Sequence, residues 1–274
     1  EGIIWLDCSF RVTLVDMVII DAHCHAWPYW YEPIESALDS MIRNGVDKAL
    51  LMPLAEGVDS HNTYQIECMR RFPGRFSVIA TVDPHRPEAP ERLEEWAEQG
   101  AEGVRLNPAD PLAIWQKAGE LGLVVSLRRR VEDTASDDFR RKVESLPNLR
   151  IVIEHLGCRM EDTTPPYDLF RRVLALAQYP NMFMKVPGLG EICPRPARFP
   201  RPADPLENIP PVLEMAMDAF GASRLMWGSD YPHVAEREGY GNCIRLLREQ
   251  VVKNEEDREW IFGKTAATLF RFGE

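Results

Sequence analysis

The sequence predicts an α/β protein, a closed (β/α)8 TIM barrel with a C-terminal helical extension. Three observations carry that prediction. Eight short apolar runs recur along the chain, helix-length amphipathic segments lie between them, and the residues able to do chemistry gather where the runs end. Near-continuous apolar strands, each followed by a helix, imply a parallel sheet covered on both faces. A chain of 274 residues matches the size of about 250 residues at which such barrels fold as one domain. A doubly wound open sheet is the alternative architecture.

The runs, in order, are "MVIID" (17–21), "DKALLMP" (47–53), "FSVIATVD" (76–83), "GVRLNP" (103–108), "LVVSL" (123–127), "IVIEH" (151–155), "MFMKVPG" (182–188) and "RLMWGSD" (224–230). The first intervening helix is read from "EPIESALDSMIRNG", where Ile34, Leu38, Met41 and Ile42 form a stripe and Gly45 a stop. "APERLEEWAEQG", "PLAIWQKAGELG", "DDFRRKVESLP" and "YDLFRRVLALAQ" supply further helices. The rhythm breaks at 187–211, whose prolines forbid a regular helix or central strand. This stretch follows the seventh strand and is expected over the barrel mouth. The tail "NEEDREWIFGKTAATLFRFGE" is expected to pack as helix on the outside. Residues 1–16 are read as an N-terminal extension and 17–274 as a single domain.

With 45% hydrophobic and 27% charged residues the composition is that of an ordinary globular protein. A formal net charge of −11 speaks against nucleic acid or an anionic membrane as partner, because both demand clustered positive charge. Six scattered cysteines without a CxxC pair (Cys8, Cys24, Cys68, Cys158, Cys193, Cys243) predict reduced, buried thiols. No apolar stretch reaches the roughly 20 residues of a membrane span. The first sixteen residues lack the basic start and small-residue cleavage site of a signal peptide. The expected location is cytoplasmic, the expected partner a small molecule, with a homo-oligomer as an open option.

Polar residues mark the ends of the runs. Asp21, His23 and His25 close the first and, by the period of two along a strand, should share one face opposite Ala22 and Cys24. Arg105 and Asn107 close the fourth, His155 the sixth and Asp230 the eighth, with Lys185 near the end of the seventh. In a barrel all of them meet at the C-terminal rim, where active sites form. Burying so many polar groups together is costly unless a metal, a substrate or each other satisfies them.

The ordered set "DAHCH", "GVRLNP", "LPNLRIVIEHLG", "MFMKVPGLG", "ASRLMWGSDYPH" and "IFGKTAATLFRF" resembles the amidohydrolase superfamily over residues 17–271. Within it, the set is similar to the amidohydrolase 2 branch that holds the 2-pyrone-4,6-dicarboxylate lactonases and sugar lactonases. The aminocarboxymuconate-semialdehyde decarboxylases are cousins. The resemblance implies that His23, His25 and Asp230 hold one divalent metal, zinc or manganese, as an optional cofactor. It further implies that His155 contacts substrate or activates the carbonyl, and that Asp230 takes a proton from the hydrolytic water. Metal-rich members carry another ligand on strand five; here that strand, "LGLVVSLRRR", has neither lysine nor histidine, so a binuclear centre is not expected.

The predicted activity is hydrolysis of a small lactone, its substrate open to being carboxylated. Catalysis falls to Asp230 and His155, with substrate contacts expected from Arg105, Lys185, His233 and Trp27. Arg105 has a competing reading, as the partner of Glu154 or Glu102. Lys185 has one as the buried partner of an acid. Arg128, Arg129 and Arg130 follow strand five, and Arg195, Arg198 and Arg201 make the proline-rich stretch locally basic. Trp27, Tyr29, Trp30 and Tyr31 crowd the loop after the first strand as a possible pocket wall. His61 is read either near the pocket at the start of a helix or as exposed, and His85 as a loop residue. The rival functions are a metal-dependent decarboxylase or hydratase of the same branch, and a non-catalytic binding barrel.

Overall fold

The computed structural model describes residues 17–29, 31–54, 59–128, 130–157, 163–195, 206 and 208–273. The strands are β1 (Ile20–Cys24), β2 (Lys48–Leu51), β3 (Phe76–Ala80), β4 (Gly103–Leu106), β5 (Val124–Leu127), β6 (Ile151–Ile153), β7 (Met182–Val186) and β8 (Leu225–Trp227). They pair in sequence order, every neighbouring pair parallel. A single parallel bridge, Cys24 with Tyr231, joins the last strand to the first. There His25 N donates to Tyr231 O at 2.8 Å and Asp230 N to His23 O at 2.9 Å. The eight-stranded barrel stands as expected; seven strands are shorter than their apolar runs, and β1 keeps the length of its run but lies three residues further on.

Helices cover the outside: α1 (Ile34–Arg43), α2 (Asp59–Arg71), α3 (Ala89–Glu98), α4 (Leu112–Glu120), α5 (Val131–Thr134), α6 (Asp137–Ser145), α7 (Asp168–Leu174), α8 (Leu189–Ile192), α9 (Val212–Phe220), α10 (Tyr240–Leu246), α11 (Glu255–Glu259) and α12 (Thr265–Leu269). On α1 the buried face is Ile34, Ala37 and Met41, whereas Ile42 is exposed. At 100° per residue Ile42 stands about 80° round from Ile34, off the stripe to which the sequence assigned it. The α2 helix buries His61, Asn62 and Gln65 beside Ile66 and Cys68, so its inward face is half polar. The short helix α8 lies inside 187–211, where none was expected; the prolines that forbid helix begin only at Pro194, after "GLGEIC". Residues 1–16 and most of the proline-rich stretch, including Arg198 and Arg201, lie outside the described residues, as do Trp30, Arg129, Cys8 and Cys158. Cys24, Cys68, Cys193 and Cys243 are free and buried. Among the described residues, no helix is long and apolar enough to cross a membrane.

Two apolar clusters divide the interior. The larger packs helices onto the outer face of the barrel. The smaller joins Ile20, Ala22, Leu50, Met52, Ile79, Val124, Val152 and Met226, one or two from each of six strands, with Ala266, Leu269, Phe270 and Phe272. It is the barrel's inner filling, and its lower members come from the C-terminal tail. Lys48, at the start of β2, stands 5.2 Å over the Phe272 ring, and Arg271 N donates to Glu102 Oε2 at 2.6 Å. The tail therefore plugs the N-terminal end of the barrel instead of lying wholly outside it. Ala266 and Leu269 of α12 and the two phenylalanines that follow it close the core at that end. Phe272→Ala is expected to cost about 3–5 kcal/mol of unfolding free energy, the usual loss for a buried phenylalanine. Urea denaturation checks it.

Candidate active site

At the other end of the barrel the first strand departs from regular alternation. Its register against β2 shifts between Asp21 and Cys24. Such a bulge places two successive side chains on one side. Ala22 belongs to the inner cluster, Cys24 to the outer one, and both His23 and His25 border the interior cavity. Asp21 therefore does not share a face with the two histidines. Its Oδ1 accepts from Ser229 N at 2.8 Å and from His23 N at 3.0 Å. Its Oδ2 accepts from the Ser229 hydroxyl at 2.6 Å and from Tyr240 Oη at 2.9 Å. Burial pushes its carboxyl up to about 6 against the pull of those bonds. Gly228 is required beside it, because a Cβ there would stand 2.7 Å from His23 Cβ.

Asp230 and His155 leave their strands in left-handed backbone, with φ of 59° and 45°. Non-glycine residues adopt that region at a cost and cluster at functional sites. Asp230 Oδ1 lies 3.5 Å from His25 Nε2 and 3.8 Å from His23 Nε2, and the two imidazole nitrogens are 3.2 Å apart. His155 packs tilted against His23 with ring centroids 4.2 Å apart, and its Nδ1 is 3.5 Å from Glu191 Oε2. Burial lowers both His23 and His25, which favours the neutral form of each. Burial alone would raise Asp230. Its contact with His25, the proximity of His155 and the guanidinium of Arg237 outweigh that and hold it well below the usual carboxylate range.

His23, His25 and Asp230 fit one divalent ion. A tetrahedral ion with bonds of about 2.0–2.1 Å sets its ligand atoms about 3.3 Å apart, close to the 3.2, 3.5 and 3.8 Å separations here. The His25 Nδ1–H donates to Met52 O at 2.9 Å, because a carbonyl can only accept. That leaves the lone pair on Nε2, the tautomer a metal ligand needs. His23 Nδ1 faces Lys185 Nζ at 3.4 Å.

The four residues converge on a cavity of about 640 Å³ whose wall also includes Tyr31, Leu54, Arg105, Arg128, Arg130, Glu154, His233, Glu236 and Arg237. Arg105 donates through Nε and Nη2 to the two oxygens of Glu154, at 2.9 and 2.6 Å, and through Nη1 to Pro53 O at 2.6 Å. Of its two readings the structural pairing is the one that forms, with the guanidinium still at the cavity edge. Of the two readings of Lys185 the buried one is what the structure has, and it does not reach the cavity as a substrate contact: it lies beneath the wall, against His23, the Met52 sulfur at 3.3 Å and the Ser126 hydroxyl at 3.2 Å. Burial brings its ammonium down to about 8, with Glu154 opposing. Trp27 is absent from the wall and stacks on His61, at 4.9 Å and 20°. His61 is buried at the start of α2 and takes Leu54 N on Nδ1 at 3.1 Å; burial lowers it to about 4. His233 does border the cavity, bonded through Nε2 to Tyr31 Oη at 2.7 Å. Asn107 turns away to Asp110, its N donating to Asp110 Oδ2 at 2.7 Å. Arg195 and His85 are outside the wall.

Sequence reasoning missed Glu191 and Arg237. Arg237 Nη1 lies 3.2 Å from Asp230 Oδ2 and 3.6 Å from Glu191 Oε2. A glutamate inside the apolar stretch "GLGEIC" was the one signal available. Nothing marked Arg237 among the charged residues of "AEREG".

The Amidohydrolase (amidohydrolase 2) family model matches residues 20–272. The chain belongs to that family. An L-fucono-1,5-lactonase of Burkholderia multivorans is 24% identical over 223 residues, 72% of each chain. A 4-sulfomuconolactone hydrolase of Rhizobium radiobacter is 24% identical over 217 residues, 73% of this chain and 66% of that one. Matches to curated relatives span 27% to 72% of those proteins' own length. Among solved structures, a Burkholderia multivorans amidohydrolase with bound zinc superposes with a TM-score of 0.75 at 21% identity, covering 92% of this chain and 98% of that one. That likeness supports the fold of this amidohydrolase.

The buried pair under the cavity makes a stability prediction. Arg105, Lys185 and Ser126 all converge on Glu154, which is fully buried. Burial alone would raise its carboxyl, but the two cations and the Arg105 hydrogen bonds bring it down to about 2. A carboxylate depressed in the folded state stabilises above its unfolded pKa, and that contribution fades as pH falls from about 4.5 toward 2. Glu154→Gln should cost about 3–5 kcal/mol at pH 7, because it strands buried cations. The gap between variant and wild type should shrink below pH 4.5, as followed by denaturant unfolding across pH.

Proposed function

We propose that this amidohydrolase hydrolyses a small anionic lactone with water activated by Asp230. The observation that carries the reading is one carboxylate oxygen facing two buried imidazoles within 3.8 Å, on the floor of a cavity edged by arginines. A divalent ion held by His23 Nε2, His25 Nε2 and Asp230 would acidify the water and polarise the carbonyl.

The chain's own groups account for the rest. Asp230, held ionised by its surroundings, accepts a proton from a water placed between it and the substrate. The water oxygen bonds to the ring carbonyl carbon, and the carbonyl oxygen takes up the negative charge. His155, held beside His23 on the cavity wall, would stabilise that oxygen. The ring carbon–oxygen bond then breaks, and the proton on Asp230 passes to the departing oxygen. The products are a hydroxy acid and a regenerated carboxylate.

Arg128 and Arg130 stand on the wall beyond β5, Arg128 donating through Nη1 to Leu54 O at 3.4 Å. They bring positive charge to the wall of a cavity in an acidic protein, which favours an anionic substituent on the substrate. The named relatives, a sugar lactonase and a sulfonated-lactone hydrolase, support the same class of reaction. His233 and Tyr31 would contact the substrate from the opposite rim. A decarboxylase reading finds less support: β5 contributes Ser126, whose hydroxyl donates to Glu154 at 2.8 Å, and no strand-five metal ligand.

Asp230→Asn keeps the volume and removes the base. On any lactone that the wild type opens, read by proton release, the variant should lose at least about a thousandfold in kcat. Its circular dichroism and thermal midpoint should stay near wild type. Retained turnover would overturn the assignment of Asp230.

A further inference from the structure

Asp230 belongs to two potential ligand sets. One is the triad with His23 and His25. The other joins it to His155 and Glu191, whose ligand atoms and its own lie within 4.8 Å of one another. Its two oxygens divide accordingly. Oδ1 faces the imidazole pair, and Oδ2 faces the Arg237 guanidinium at 3.2 Å. A carboxylate with a cation position on each oxygen is the arrangement of a bridging ligand between two metals.

Only one of those positions is open to an ion. Arg237 Nη1 stands 3.2 Å from Asp230 and 3.6 Å from Glu191, its Nε is 3.7 Å from Glu238 Oε2, and Nη2 donates to Ser229 O at 3.3 Å. The three carboxylates are buried or nearly so, at 14%, 6% and 8% side-chain exposure. The Glu238 carboxylate is packed against the backbone ahead of and within α8, seated where a Cβ on Gly188 or Gly190 would be. Three carboxylates in so little water require a cation, and the guanidinium supplies it from within the chain.

We propose that Arg237 occupies the second of two cation positions sharing Asp230, and that it limits the site to a single metal ion. The guanidinium is thereby a positioning residue: it fixes Oδ2 and turns Oδ1 toward His23 and His25. This inference builds on the metal fit described above, yet its test reads a difference in metal content and needs no substrate.

The experiment compares the wild type with Arg237→Met, Arg237→Lys and the double variant Arg237→Met/Glu191→Gln. Each is stripped with chelator, dialysed against zinc or manganese chloride, and analysed for metal per chain. Arg237→Met is expected to hold one equivalent more than the wild type and to gain thermal stability on adding metal. The added Glu191→Gln should remove that extra equivalent, and Arg237→Lys should show the wild-type count. Where the Met variant fails to fold, Arg237→Met/Glu238→Gln, with less surplus negative charge, gives the same reading. An unchanged count in the folded Met variants, or an extra equivalent that survives Glu191→Gln, would overturn the proposal. A wild type that binds no metal would count against the metal part of the proposed function, and the difference between variants would still decide this one.

Discussion

The site depends on how the barrel closes between its last strand and its first. Among the described residues that seam has one strand bridge, and the Asp21 carboxylate reinforces it by receiving Ser229 N, Ser229 Oγ and Tyr240 Oη from beyond β8. Since Asp21 must reach outward to make these bonds, the bulge that follows returns His23 and His25 to the interior. The same closure brings Asp230 N to His23 O, which sets the Asp230 side chain opposite both imidazoles. A structural carboxylate and a reactive one thus sit on the two sides of one joint.

Beneath the reactive layer lies a second, charged one. Arg105, Ser126, Glu154 and Lys185 come from the ends of β4 to β7 and satisfy one another by hydrogen bonds. Four consecutive strand ends supply it, so it is rigid, and it carries His23 on the Lys185 ammonium. Buried polar groups of this kind tolerate little partial satisfaction. The layer therefore acts as a floor that holds the imidazoles in place, while the arginines above it remain at the cavity edge.

Much of this was legible in the sequence. Strand identities follow from apolar runs whose period does not depend on distant partners, and the polar residues that end those runs must meet at one rim once the runs form a barrel. His23, His25, His155 and Asp230 are therefore found together. Trp27 was legible only as being near the rim, and Lys185 only as either a rim residue or the buried partner of an acid. Whether a lysine at a strand end faces the lumen or the layer below depends on the counter-charge available, and here Glu154 lies below. Trp27 had His61 to stack on, a contact between segments 34 positions apart that no local pattern announces. The C-terminal phenylalanines were misplaced for a similar reason, because an amphipathic tail does not say which hydrophobic gap it fills.

By itself the sequence determined the order of strands and helices, the residue types at each strand end and hence the chemistry on offer, since these rest on local periodicity and side-chain identity. Tertiary structure alone decided that Asp21 turns from the imidazoles to lock the seam, and which arginine neutralises buried acids. Those choices turn on a one-residue register shift and on distances of a few ångströms between segments far apart in the chain, and electrostatic energy at such range in a dry interior changes too steeply with position to be read from order along the chain.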